Sequence, residues 1–118
     1  MMMLANVLIT LVALLHLYFL SLEMFFWEKP LGLKAFGTTP AFAKESKVLA
    51  ANQGLYNGFL AAGLAWGLYL GDGGASVKGF FLGCVIIAGI FGAFTVSRKI
   101  LFIQALPAIV ALALLTMA

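Results

Sequence analysis

Two ionisable side chains stand inside an otherwise apolar run, HLYFLSLEMFFW (His16 to Trp27). His16 and Glu23 are seven residues apart, which on a helix puts them on nearly the same face and about 10 Å apart along the axis. They can line one cavity without touching each other. Histidine titrates near neutral pH, and a carboxyl group is a ready general acid or base. In hydrocarbon an ionisable group costs roughly 2.5–3.5 kcal/mol on insertion scales, so it counts first as a functional-site candidate whose partner has to be found. His16 and Glu23 are therefore the candidate catalytic pair.

Candidate partners cluster in NQGLYN (Asn52 to Asn57). Asn52 and Tyr56 are four apart, and so are Gln53 and Asn57, so the four polar side chains share one helix face. Gln104 and Arg98 complete the candidate ligand-binding set. A histidine, a carboxyl group and neutral donors able to hold a carbonyl or hydroxyl suit proton shifts, epimerisation or epoxide opening. No nicotinamide- or phosphate-binding glycine loop is present, so no cofactor is expected. His16 and Glu23 alone are too few ligands for a metal site.

The elements that must position these residues follow from composition. The 118 residues are 64% hydrophobic and 9% charged, with mean hydropathy +1.14, against about 45–50% apolar and about 25% charged in soluble domains. Four windows free of charge, Met1 to Leu22, Val48 to Gly71, Gly79 to Ser97 and Ile100 to Ala118, each approach the roughly 20 residues that cross a bilayer as a helix. Strands are excluded as spanning elements, because four short segments cannot close a barrel. The expectation is an all-α integral membrane protein, an antiparallel four-helix bundle forming one domain over residues 1–118, with spans at about 4–27, 43–70, 77–96 and 99–117. The first run lacks a basic leader and a small-residue cleavage site, so it reads as a span, not a signal peptide. Lys29, Lys34, Lys44, Lys47, Arg98 and Lys99 fall on one side and only Lys78 on the other. By the positive-inside rule the first side is cytoplasmic, and both termini lie on the outer side. Cys84, the single cysteine, permits no intrachain disulfide and reads as a small buried hydrophobe.

Local signals mark the boundaries. Pro30 stops the first span, and residues 31–39 read as a loop on the membrane surface. Thr38 or Thr39 before Pro40 is a helix start, with proline at the first helical position. Gly63, Gly67 and Gly71 form a small-residue face for close helix packing, as do Gly79 and Gly83, then Gly89 and Gly92. Gly71-Asp72-Gly73-Gly74 is a turn. Pro107 removes a bond to the carbonyl of Ile103 and is expected to kink the last helix. Counted at about 1.5 Å per residue from the basic side, His16 and Asn52 both lie roughly 16 Å deep, Glu23 about 6 Å and Gln104 about 8 Å. This layering predicts a pocket open to the cytoplasm, with His16, Asn52, Tyr56 and Asn57 at its floor and Glu23, Gln104 and Arg98 toward its mouth.

The stretches HLYFLSLEMFFW, KVLAANQGLYNGFLAAGL (Lys47 to Leu64) and SRKILFIQALPA (Ser97 to Ala108) resemble a domain-of-unknown-function family of small bacterial inner-membrane proteins with four predicted spans. The resemblance covers essentially the whole chain. It implies a four-helix membrane fold and an inner-membrane location, and it carries no activity. Three function classes remain open: binding of, and acid–base chemistry on, a small lipophilic molecule; proton-coupled export by a homodimer; and a structural role without a ligand. Membrane lipids are the expected surroundings, and nucleic acid is not a partner, since the basic residues flank spans.

Overall fold

Leucine, alanine and methionine, strong helix formers, dominate the first 24 residues. In the computed structural model, which describes residues 1–118, they form helix α1, Met2–Met24. Ala5, Ile9, Val12, His16 and Glu23 are its buried stripe, spaced four, three, four and seven residues, the period of one helix face. On other faces Leu4, Val7, Leu11, Leu14 and Tyr18 are exposed. The helix stops three residues short of Trp27, because the N–H groups of Phe25 and Phe26 both turn back to the Ser21 carbonyl. Glu23 consequently sits in the last turn of α1.

Residues 31–39 are not simply a loop. Pro30, read above only as a stop, opens a short helix α2, Pro30–Phe36, because at the first helical position its missing N–H breaks no bond. Gly37 closes α2 in the left-handed region at φ 62°. Its N–H donates to Lys34 O, and Thr38 N–H to Leu33 O, the paired bonds of a Schellman end. Helix α3, Pro40–Tyr69, starts as the Thr-Pro signal predicts. Thr39 Oγ1 accepts from the Phe42 N–H at 3.2 Å, the capping bond of a helix start. A 3-10 turn, Gly71–Gly74, leads into α4, Ala75–Thr95. After a tight turn comes a π-helical segment, Leu101–Ala105, then α5, Leu106–Met117. The fold is all-α.

The chain divides into two compact units, Met1–Leu14 with Leu60–Ala118, and Leu15–Phe59. In the first, Ala5, Ile9, Leu64, Leu82, Val85, Ala108 and Ala111 form the core. Helices α4 and α5 run as an antiparallel hairpin, with Gly92 beside Ile100 and Gly89 beside Ala105. A Cβ on Gly89 would lie 2.9 Å from the Ala105 backbone nitrogen, so this approach requires glycine. Lys78, counted in the sequence as a flanking charge, is 1% exposed. Its Nζ donates to Asn6 Oδ1 at 2.9 Å, and its stem fills the space that the missing Gly67 side chain leaves. Where Pro107 predicts a kink, the irregularity takes the form of the π segment, with the Leu106 N–H bonded to Leu101 O. Pro107 itself lies in the first turn of α5.

Two helical stretches, Met2–Met24 and Gly71–Thr95, are long and apolar enough to cross a membrane, and Leu101–Met117 is a shorter apolar helix. Helix α3 is longer than any of these, but Lys44, Glu45, Lys47, Asn52, Gln53 and Asn57 make its first two-thirds too polar to pass on composition.

Candidate functional site

The unit Leu15–Phe59 carries the last turns of α1, all of α2 and the polar first two-thirds of α3. Its inward-facing ionisable groups are His16, 0% exposed, and Glu23, 3% exposed. Glu23 is held from α3. The Asn57 side-chain amide donates to Glu23 Oε1, and Gln53, one turn earlier on the same face of α3, also bears on that carboxyl. The bond from Asn57 fixes the carboxyl rotamer.

This approach depends on a residue between the two amides. A Cβ on Gly54 would stand 2.7 Å from Met24 Cγ and 3.1 Å from Glu23 Cβ, and one on Gly58 would stand 2.8 Å from Leu20 Cδ1. Gly54 and Gly58 are four apart, the small-residue spacing that lets two helices close on each other. Glycine at these positions is what brings the amides of α3 within reach of Glu23.

A cleft of about 440 Å³ opens beside Glu23, within the size range of small-molecule sites, walled by Met24, Phe25, Trp27, Val48 and Ala51 and bordered by Glu28, Lys29 and Lys47. Trp27 is pinned in that wall. Its indole N–H donates to Ser46 Oγ at 3.1 Å, Ser46 in turn donates to the Phe42 carbonyl at 2.7 Å, and the Trp27 ring lies 5.0 Å from that of Phe36 on α2. The short helix thus steadies one wall of the cleft.

The remaining candidates are distributed differently. His16 packs edge-on against Phe19, ring centroids 5.4 Å apart, two turns deeper along α1 than Glu23. Asn52 and Tyr56 do not join Glu23. They lie on an exposed face of α3, where Tyr56 packs against Phe59 at 5.9 Å. The polar face read from the sequence splits, because successive residues on a helix differ by about 100° and only one half can face α1. Gln104, half-buried in the π segment, and exposed Arg98 belong to the other unit. Sequence reasoning missed Gly54, Gly58, Trp27, Lys29 and Lys47 as parts of this site. The four-residue spacing of Gly54 and Gly58 inside NQGLYNG was the available signal for the first two.

Residues 10–116 match a protein family described as "Protein of unknown function (DUF1304)". A relative, the "Uncharacterized protein YpaA" of Lactococcus lactis subsp. lactis (strain IL1403), is 30% identical over 104 residues, covering 86% of this chain and 87% of its own. No solved structure matches the chain.

Proposed function

We propose, for a chain that belongs to the DUF1304 family, that it is a four-span protein of the bacterial inner membrane which binds a small lipophilic molecule beside Glu23 and acts on it by acid–base chemistry. The observation that carries this reading is an inversion of polarity. His16, Glu23 and Lys78 are buried, while Phe25, Ile87, Phe91 and Phe94 are among the many large apolar side chains left exposed. In water that arrangement is unfavourable twice over, whereas hydrocarbon surroundings make the exposed residues the natural surface and the buried ones functional candidates. In this reading α1, α3, α4 and the π segment with α5 each cross the bilayer. The basic loops lie in the cytoplasm, both termini lie outside, and the cleft opens at the cytoplasmic end.

The chemistry follows from the carboxyl group. Asn57 aims it, and the cleft gives a ligand access to it. As a carboxylate, Glu23 removes a proton from an acidic carbon or hydroxyl of the ligand. As the resulting acid, it returns the proton to another position or face, so the step is balanced without a co-reactant. His16, deeper on the same stripe, is the second proton-carrying group.

Mass spectrometry of lipophilic molecules that co-purify with the chain tests the reading. Wild type should carry a defined lipophile that Ala51→Phe, which fills the cleft, excludes. Glu23→Gln, nearly isosteric, should retain that lipophile and fail to convert it. Identical lipophile content in wild type and Ala51→Phe would refute the site, and conversion by Glu23→Gln at the wild-type rate would refute the chemistry.

A further inference from the structure

Helix α3 has a second face that the chemistry at Glu23 does not use. Glu45, Val48, Asn52, Leu55 and Phe59 recur at spacings of three, four, three and four, and all five are exposed. That is the a/d repeat of a two-stranded coiled coil, and it lies within the unit Leu15–Phe59. A stripe that only meets lipid needs apolar side chains alone, yet this one carries Asn52 about 16 Å from the cytoplasmic end of the span. The Asn52 side chain forms no hydrogen bond within the chain. An amide turned toward hydrocarbon without a hydrogen-bonding partner is unfavourable. In coiled coils a single asparagine in the seam fixes register and strand number.

An acyl chain offers Asn52 neither donor nor acceptor, whereas a second copy of the chain offers both. An amide donates and accepts, so a face carrying one is its own complement across a two-fold axis, and the pair makes two bonds. The charges at the cytoplasmic end of the seam agree with this. Lys44 and Glu45 are adjacent, so they point about 100° apart on the helix, and no residue three or four positions from either has the opposite charge. Neither forms an ion pair within the chain. In a parallel pair Lys44, flanking the seam, comes beside Glu45 of the other copy, and the two-fold axis repeats that contact. We infer that α3 pairs in parallel with α3 of a second copy about a two-fold axis normal to the membrane, Asn52 against Asn52 in its seam. The inference rests on the reading of α3 as a membrane span and not on the chemistry at Glu23. Val48 also walls the cleft, so the interface adjoins it.

Cross-linking tests the face and dilution tests the bond. With helix axes about 9 Å apart and Cα atoms about 2.3 Å from each axis, the two Leu55 Cα atoms lie about 6 Å apart, inside the disulfide range, and the two Lys47 Cα atoms about 12 Å apart. In a Cys84→Ala background, oxidation in membranes should join Leu55→Cys to itself and leave Lys47→Cys, also at an exposed position, uncoupled. Association is measured by energy transfer between donor- and acceptor-labelled copies, each labelled at Lys34→Cys in the same background, in phosphatidylcholine vesicles as added lipid dilutes the full-length chain. Two interhelical hydrogen bonds are worth about tenfold in the association constant. Asn52→Leu should therefore weaken the dimer about tenfold, and Asn52→Gln, which keeps an amide, less than about threefold. Transfer no greater than chance encounter gives, transfer indifferent to Asn52→Leu, or cross-linking of Lys47→Cys as fast as Leu55→Cys would overturn the inference. Asn52→Cys separates that failure from failure of the span. If it stays unreactive toward a water-soluble maleimide while the dimer is absent, only the dimer falls; if it reacts freely, the span and the dimer fall together.

Discussion

Asn6→Leu removes the side-chain acceptor of Lys78 Nζ, 2.9 Å away, from a lysine that is 1% exposed. The lysine cannot easily swing out, since its stem lies in the space against Gly67, where a Cβ would be 2.7 Å from Lys78 Cγ. A hydrogen bond to a charged group is worth about 1.5–3 kcal/mol, and a buried donor left without its partner costs its desolvation as well. We therefore expect Asn6→Leu to destabilise the fold by about 2–3 kcal/mol, or roughly 8–12 °C in Tm at about 4 °C per kcal/mol for a chain of this size. Lys78→Met keeps most of the stem and removes the donor, so it should cost about 1 kcal/mol or less. The double variant Asn6→Leu/Lys78→Met should then be more stable than Asn6→Leu alone, with a coupling of about 1.5–3 kcal/mol. The assay is thermal unfolding in detergent micelles followed by circular dichroism. Additive effects in the double variant, or a Tm for Asn6→Leu within about 2 °C of wild type, would refute the reasoning.

At Gly54, leucine would collide with Met24 and Glu23 and should lower stability by about 1–3 kcal/mol. Gly83→Ala, where a Cβ meets nothing within 4 Å, should instead stabilise α4 by about 0.5–1 kcal/mol; the reverse order of the two Tm values would contradict the packing. Asn57→Leu takes one donor from Glu23 and should cost about 1–3 kcal/mol, whereas Asn52→Leu, on the exposed face, should change Tm by less than about 2 °C. Four-span topology predicts a labelling pattern in a Cys84→Ala background: cysteines placed at Lys34 and Arg98 react only with reagents that enter the cytoplasm, and one placed at Asp72 reacts with impermeant reagents outside. A cysteine at Arg98 labelled from outside would eliminate the four-span reading.

The parts of the fold governed by local chemistry were legible in the sequence. Thr39 and Pro40 announced the start of α3 because a capping hydroxyl and a preset φ act on their own neighbours. Pro30 was ambiguous, since the same ring that ends one helix begins another, and only Gly37 at positive φ decided for α2. The importance of Glu23 could be argued from its cost in an apolar run. Its partners could not be chosen among Asn52, Gln53, Tyr56 and Asn57, because a rotation of α3 by about 100°, little more than a quarter turn, exchanges one pair for the other. Gly54 and Gly58 set that rotation by contact with Leu20, Glu23 and Met24, a tertiary fact. Lys78 misled for a similar reason. Four residues into a helix it reads as a flanking charge, and its burial requires both Asn6, 72 positions away, and the notch at Gly67.

The π segment Leu101–Ala105 has a consequence for how the chain tolerates changes in length. A π turn holds more residues than the 3.6 of an α turn. Deleting one residue there would return the segment to ordinary helix while Ala108, Ala111 and Leu115 kept their buried positions in α5. Deleting one residue from α4 would instead rotate the remainder of that helix by about 100° and carry Gly89 away from Ala105. Among chains built on this plan, single-residue gaps should therefore gather between Leu101 and Ala105 and be missing from α4.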